Sequence, residues 1–204
     1  MLKRRVLQAV LRVAVALGLV GGLAACTTFG NGSHTVGNGK YDVQPGLYTS
    51  SKTVSSNLND SCIWLRGFDI NHPAIQAKGN DEELGGRSFI QILPTDGKFL
   101  SQGCGLWTVP KATSYNPDRA TAKTGTYRIP TDLLPGTYTA PGGPLCSWTR
   151  VSSFKGDSAS VIATSLPRTS KASYHGVVNP RVTIAETDVG FLTDICGGWH
   201  RVGS

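Results

Sequence analysis

The stretch DVQPGLYT at residues 42–49 decides the fold, because it occurs again as DLLPGTYT at residues 132–139. Each stretch contains Pro-Gly, which favours a turn, followed by a short run with tyrosine and threonine that suits a β-strand. A pattern of this length that recurs within 204 residues indicates an internal repeat. The chain is therefore predicted to contain two copies of one structural unit.

Two further motifs recur in the same order. A Cys-x-Trp-x-Arg motif is present as CIWLR at residues 62–66 and as CSWTR at residues 146–150. Each copy then ends on a longer motif, TDGKFLSQGCGLW at residues 95–107 and TDVGFLTDICGGW at residues 187–199. In both copies the second cysteine lies nine residues after the threonine of the Thr-Asp pair. These motifs contain all four tryptophans of the chain, Trp64, Trp107, Trp148 and Trp199.

The N-terminus has the three parts of a secretory signal peptide: a basic region at residues 1–12, an apolar run at 13–20 and small residues before Cys26. Residues 13–25 are too few to cross a bilayer, which needs about 20 residues. The sequence LAAC at residues 23–26 resembles a bacterial lipobox, which implies that the sulfur of Cys26 carries a diacylglycerol. The alternative is an ordinary signal peptide cleaved nearby. The lipobox predicts a mature protein anchored by lipid to the extracytoplasmic face of the cell membrane.

The remaining cysteines are Cys62, Cys104, Cys146 and Cys196. Outside the cytoplasm, four well-spaced cysteines indicate two disulfides, and they allow three pairings. The duplication favours the pairing inside each copy, Cys62–Cys104 and Cys146–Cys196. Small units gain most from such bonds, because their hydrophobic cores alone are marginal. Neither Cys-x-x-Cys nor His-x-x-x-His spacing is present, so no metal site and no cofactor are predicted.

The segments SFIQI at residues 88–92 and PRVTI at residues 180–184 alternate apolar and polar residues, as half-buried strands do. We therefore predict an all-β fold of two tandem small antiparallel β-sandwich-like domains, each with one disulfide, after a signal peptide and a flexible tether. The predicted organisation is a lipoprotein signal peptide at 1–25, the lipidated Cys26 and tether at 26–40, a first β-domain at 41–110, a linker at 111–128 and a second β-domain at 129–204.

The repeated side chains allow two interpretations. Residues two apart on a strand share a face, so cysteine, tryptophan and arginine of each Cys-x-Trp-x-Arg motif point together. In the first interpretation, the tryptophans pack on the disulfides and the arginines form structural ion pairs, Arg66 with Asp96 and Arg150 with Asp188. In the second, the motifs present a platform for a sugar or an anionic wall polymer. The candidate binding residues are Trp64, Trp107, Trp148, Trp199, Arg66 and Arg150.

The weak charge of the mature chain and the absence of familiar catalytic motifs argue against a nucleic-acid-binding protein and against an enzyme. The formal charge is +7, but four of the twenty basic residues leave with the signal peptide, so sixteen remain against thirteen acidic groups, a net of +3. That charge forms no run, and nucleic-acid binding is not expected. The histidines differ between the copies, and G-x-S-x-G is absent. The acidic residues 81–83 could hold calcium or act as an acid pair, but a solvated loop is the simpler interpretation. We expect no enzymatic activity.

Together, the Pro-Gly-[Leu/Thr]-Tyr-Thr, Cys-x-Trp-x-Arg and Cys-Gly-x-Trp motifs resemble a group of actinobacterial secreted proteins and lipoproteins of unassigned function. The resemblance covers most of the mature chain, in two copies. It implies an envelope β-domain and no particular activity. The first copy has a longer insert at residues 50–61, so the two copies need not share a ligand.

The leading hypothesis is a lipid-anchored, non-enzymatic envelope protein. Its tandem β-domains would bind an envelope component, such as a cell-wall glycan, or a protein partner. One alternative is a phage- or prophage-encoded surface lipoprotein that excludes superinfecting phage. Another is a hydrolase of cell-wall glycans or esters. The sequence predicts no oligomeric state.

Overall fold

The structure is a computed structural model, and it describes residues 28–40, 42–51, 62–67, 75–80, 88–111, 121–165 and 176–203, with only the backbone at residues 75–80 and 121. These segments contain β-strands and one short 3-10 helix, η1, at Ser158–Ser160. In this part of the chain, no helix is long and apolar enough to cross a membrane. The strands are β1 Thr28–Phe29, β2 Gly32–Thr35, β3 Gly46–Ser50, β4 Ile63–Gly67, β5 Ile75–Asn80, β6 Phe89–Ile92, β7 Lys98–Gln102, β8 Trp107–Thr108, β9 Thr121–Ala122, β10 Gly125–Arg128, β11 Gly136–Thr139, β12 Gly142–Gly143, β13 Ser147–Val151, β14 Val161–Thr164, β15 Val177–Val178, β16 Arg181–Ile184, β17 Gly190–Asp194 and β18 Trp199–Gly203.

Each repeat has two four-stranded sheets, which confirms the all-β prediction. In the first repeat (residues 28–111) the strand orders are β1-β8-β3-β6 and β2-β7-β4-β5. In the second repeat (residues 121–203) they are β16-β11-β18-β9 and β10-β17-β13-β14, with a small β12-β15 pair beside them. Neighbouring strands of these sheets are antiparallel. The sheets of each repeat pack around a hydrophobic core of their own.

The tyrosine of the Pro-Gly-x-Tyr motif fixes the turn before it. The Tyr48 hydroxyl donates a hydrogen bond to the carbonyl of Gln44 at 2.9 Å, and the Tyr138 hydroxyl donates to the carbonyl of Leu134 at 2.8 Å. Both rings are buried, so each tyrosine contributes apolar area to the core and holds the turn from inside. This double use explains why proline, glycine and tyrosine recur together.

The tryptophan at the end of each repeat is a core residue. Trp107 meets Phe99 edge to face with ring centroids 5.4 Å apart, and Trp199 meets Phe191 in the same way at 5.3 Å. Each indole also donates a hydrogen bond inside the core, Trp107 Nε1 to Ser101 Oγ at 3.0 Å and the indole of the other repeat to Thr193 Oγ1 at 2.7 Å.

The predicted tether is wrong in its described part, because residues 28–35 form β1 and β2 of the first repeat. Thr28 and Phe29 pair with β8, and β2 pairs with β7. The Phe29 ring is buried and lies 5.0 Å from the Tyr48 ring and 5.6 Å from the Phe99 ring. The glycines and polar residues around it suggested a flexible segment, but burial of one aromatic ring holds the segment in the sandwich.

The predicted linker also ends too late. Within 111–128, strands β9 and β10 belong to the sheets of the second repeat and occupy the places that β1 and β2 have in the first. A weak sequence match marks this equivalence, since Thr28 precedes Gly32 by the same spacing as Thr121 precedes Gly125. Residues 112–120, in the middle of the predicted linker, lie outside the described part of the chain.

The two disulfides join cysteines within each repeat. Cys62 bonds to Cys104 and Cys146 bonds to Cys196, closing sequence separations of 42 and 50 residues. All four cysteines are buried. Each bond connects the start of a central strand, β4 or β13, to the segment that follows β7 or β17.

Candidate functional site

The repeated arginine of the first copy is buried and held by an aspartate. Arg66 Nη1 donates to both carboxylate oxygens of Asp96, at 2.8 Å to Oδ1 and 3.1 Å to Oδ2, and both side chains are almost fully buried. Asp96 also accepts a hydrogen bond from the backbone N–H of Leu93 at 2.8 Å. The hydrogen bond from Leu93 orients the Asp96 carboxylate towards the guanidinium. The buried positive charge of Arg66 is therefore compensated by this carboxylate and not by water.

The remaining donors of Arg66 hold a segment of the second repeat. We name residues 154–157 the docking loop; it lies between β13 and η1. Arg66 Nε donates to the carbonyl oxygen of Lys155 at 2.9 Å, and Nη2 lies 3.8 Å from Asp157 Oδ2. One buried guanidinium therefore joins the two repeats through a backbone carbonyl and a carboxylate.

Three further contacts hold the docking loop. The backbone N–H of Gln91, on edge strand β6, donates to the carbonyl oxygen of Phe154 at 2.8 Å, and the Phe154 ring lies 5.3 Å from the ring of Phe89. Gly156 lies against the ring of Trp64, where an added Cβ would overlap the indole. The docking loop is thus held by a backbone N–H of an edge strand, by aromatic rings and by an arginine.

Local sequence shapes the docking loop for this contact. Gly156 has a φ of +74°, a conformation that residues with a side chain rarely adopt. Asp157 caps η1, because its carboxylate accepts a hydrogen bond from the backbone N–H of Ser160 at 2.8 Å. The Ser160 hydroxyl and, more weakly, Arg66 lower the pKa of Asp157. The carboxylate is therefore charged at neutral pH, and its contribution is lost as the pH falls towards and below the ordinary carboxyl pKa.

The second repeat has the same ion pair in a more open form. Arg150 Nε donates to Asp188 Oδ2 at 2.6 Å and Nη2 donates to Oδ1 at 2.9 Å. The hydrogen bond to Asp188 raises the pKa of the guanidinium, so the arginine stays charged. Asp188 is oriented by its turn through the N–H of Ala185, as its counterpart is in the first repeat. The arginine side chain, however, is 19% exposed, against 2% for Arg66.

The two repeats differ in exposure at the residues that touch the docking loop. Trp64 and Arg66 are buried, whereas Trp148 and Arg150 at the matching positions are only partly buried. The paired aspartates and all four cysteines are buried in both copies. The docking loop therefore covers in the first repeat a surface that stays open to solvent in the second.

The structure contradicts the predicted tryptophan platform at three of its four positions. Trp107 and Trp199 are fully buried in the cores, so their rings cannot stack on a sugar. Trp64 is buried beneath Gly156, and Arg66 at the same surface is buried with it. For these positions the structure agrees with the other interpretation of the motifs, in which the tryptophans pack inside the fold. Trp148 alone among the four keeps an accessible part.

The docking loop was missed by sequence reasoning because it does not recur. A search for repeats passes over segments whose sequences differ between the copies. The second copy has nine residues between β13 and β14, and the first has seven between β4 and β5, so length alone does not mark the docking loop either.

Other candidate residues are not brought into a common site. In the described segments, no three His, Cys, Asp or Glu side chains lie together as metal ligands do. His34 Nε2 is within 2.9 Å of the carbonyl oxygen of Gly30, and His200 is exposed on β18. The acidic residues 81–83, His72 and His175 lie outside the described residues.

Duplicated β-sandwiches closed by buried disulfides define this chain as a tandem-domain protein of an oxidising compartment. The chain belongs to the Rv1352-like extracellular domain family, which matches it twice, over residues 26–108 and 119–200. This assignment confirms a repeated extracellular domain and an extracytoplasmic location, and both matches include the strands that precede the predicted domain boundaries. No curated protein and no solved structure matches the chain.

Replacing Gly156 with alanine should release the docking loop. The substitution costs about 1–3 kcal/mol, because the residue has a positive φ and its new Cβ would overlap Trp64. Urea unfolding followed by tryptophan fluorescence measures the loss and the exposure of the indole. The matched control is Gly143→Ala, at a glycine with positive φ and nothing within 4 Å of the added Cβ. Equal effects of the two substitutions would contradict the assigned contact between Gly156 and Trp64.

Proposed function

We propose that the protein is a lipid-anchored, non-enzymatic component of the cell envelope whose two repeats form one unit that binds a protein partner. The observation that carries the anchor is the position of Cys26, at the end of a signal peptide and two residues before β1. Membership of an extracellular domain family supports export of the chain.

The start of β1 limits how far the folded protein can stand from the bilayer. Two residues span at most about 7 Å when fully extended. With a lipid on Cys26, the first sandwich would therefore lie directly on the membrane surface. Two or three acyl chains bind a membrane firmly, whereas one chain binds only marginally.

A binding role is supported by what the repeated polar residues do. The arginines and aspartates that both copies share are engaged with each other, and the aspartates also accept backbone hydrogen bonds from their own turns. These ion pairs therefore have a structural role, which is to hold the arginine and the neighbouring tryptophan of each repeat in place. A contact inside the molecule supports the proposal, because the first repeat holds the docking loop of the second.

The anchor is tested by Cys26→Ala in cells grown with an alkyne-labelled fatty acid. Wild-type protein should incorporate the label and fractionate with membranes, and Cys26→Ala should lose both properties. Thr27→Ala is the matched control, because it changes the neighbouring residue and keeps the cysteine sulfur. Membrane fractionation and labelling that persist in Cys26→Ala would contradict the lipid anchor.

A further inference from the structure

The first repeat shows what kind of ligand this surface takes. Its occupant is a bent segment with the sequence Phe-Lys-Gly-Asp at residues 154–157, in which Gly156 has a positive φ. The sheet edge binds a carbonyl of this segment, the glycine lies on Trp64, and Arg66 binds the next carbonyl and the acidic side chain. Glycine is required at the indole because any side chain there would overlap the ring.

The second repeat carries the same three parts, and among the described residues no segment covers them as the docking loop covers the first repeat. Trp148 and Arg150 are partly exposed, at the positions of the tryptophan and arginine that hold the docking loop. Thr183 on β16 occupies the same place as Gln91 on β6. Each pairs with the residue that directly follows the glycine of the Pro-Gly motif. β16 is the edge strand of its sheet, and Thr183 is exposed on it. Its outward N–H is therefore placed to bind a carbonyl.

We propose that the second repeat binds a peptide segment of a partner protein that bends at a glycine directly followed by an acidic residue. The glycine lies on Trp148, the acidic side chain pairs with Arg150, and the N–H of Thr183 donates to a backbone carbonyl of the segment. This site specifies the partner of the proposed function, and it rests on that function only in taking the partner to be a protein of the cell envelope.

Differences between the copies define the preferred sequence more closely. Arg150 engages Asp188 through Nε and Nη2, so within the described residues Nη1 is the guanidinium nitrogen that remains to donate to a carboxylate of the partner segment. Arg181 occupies the position of Phe89, whose ring packs against the phenylalanine of the docking loop. The partner segment should therefore have an acidic residue where the docking loop has Phe154. The predicted motif is Glu/Asp-x-Gly-Asp/Glu.

The test is peptide titration of the full mature chain carrying Cys26→Ala, with amide and indole resonances followed by NMR. The probe is the octapeptide of residues 152–159 with Glu in place of Phe154, capped at both ends. The control peptide has valine in place of Gly156 and asparagine in place of Asp157. We expect saturable shifts at Trp148 and Thr183, no shift at Trp64, and at least about fivefold weaker binding of the control peptide.

Two variants separate binding from folding. Thr183→Pro removes the outward N–H of an edge strand, where proline is tolerated, and should weaken binding about fivefold or more, whereas Thr183→Val keeps the N–H and should bind normally. If the proline variant is unfolded, Arg181→Glu provides the test instead. It reverses an exposed charge and should also weaken binding of the acidic peptide.

Several results would overturn the proposal. These are no shifts at about 5 mM peptide, equal shifts with the control peptide, or unchanged affinity in Arg181→Glu. Shifts at Trp148 caused instead by cell-wall glycan fragments would assign the surface to carbohydrate. Shifts that depend on protein concentration without peptide would assign it to a second copy of the chain. The peptide titration uses a chain without lipid. A negative titration would therefore contradict the peptide site alone, and a negative fatty-acid labelling would contradict the lipid anchor alone.

Discussion

Replacing Asp96 with alanine should lower the free energy of unfolding by about 3–5 kcal/mol, because it leaves a buried guanidinium without its counter-charge. Arg66 has only 2% of its side chain exposed and cannot turn to water without displacing the docking loop. The substitution should therefore weaken the first repeat and the contact between the repeats together. Chemical unfolding, monitored by fluorescence and by circular dichroism, measures both effects.

The second repeat provides the matched control. Asp188→Ala removes the corresponding carboxylate from Arg150, whose side chain is 19% exposed and gains hydration when the pair is lost. Its cost should be about 1–3 kcal/mol. Equal losses from Asp96→Ala and Asp188→Ala would contradict the conclusion that the docking loop buries only one of the two ion pairs.

Removing a disulfide should have an effect of similar size. Replacing Cys62 and Cys104 with alanine reopens a separation of 42 residues, and replacing Cys146 and Cys196 reopens one of 50. The chain-entropy relation gives about 4 kcal/mol for each bond. The free energy of unfolding of a domain is about 5–15 kcal/mol. A chain that lacks both disulfides should therefore be largely unfolded at about 37 °C.

Thermal unfolding with and without a reducing agent measures this effect. Wild-type protein should lose stability on reduction, whereas the variant that lacks all four cysteines should respond to the reducing agent no further. Peptide mapping under non-reducing conditions checks the connectivity independently. A peptide that links Cys62 to Cys146 would contradict the pairing within each repeat.

The sequence predicted those parts of the fold that duplication repeats. Alternating strands, the Pro-Gly turns and the two arginine–aspartate pairs were all inferred from motifs that occur twice, and in the structure Arg66 contacts Asp96 as Arg150 contacts Asp188. Duplication carries this information because a residue required by the fold is required in both copies.

Burial and asymmetry could not be predicted in the same way. A tryptophan that follows Cys-Gly is equally compatible with an exposed platform and with a core, and only the packing of Trp107 against Phe99 decides between them. Strand β1 was missed because its single aromatic residue, Phe29, is surrounded by residues typical of a linker. The docking loop differs in sequence from the residues between β4 and β5 of the first copy, so no repeated motif marks it.

The docking loop also determines the valency of the chain. A tandem repeat ordinarily offers two equivalent sites, and two linked sites can raise overall avidity by about 10²–10⁴. Here residues 154–157 occupy the surface of the first repeat from within the same molecule. Under the proposed function, one such surface remains for each chain, so the duplication would yield a monovalent protein, and avidity would come from the density of chains on the membrane.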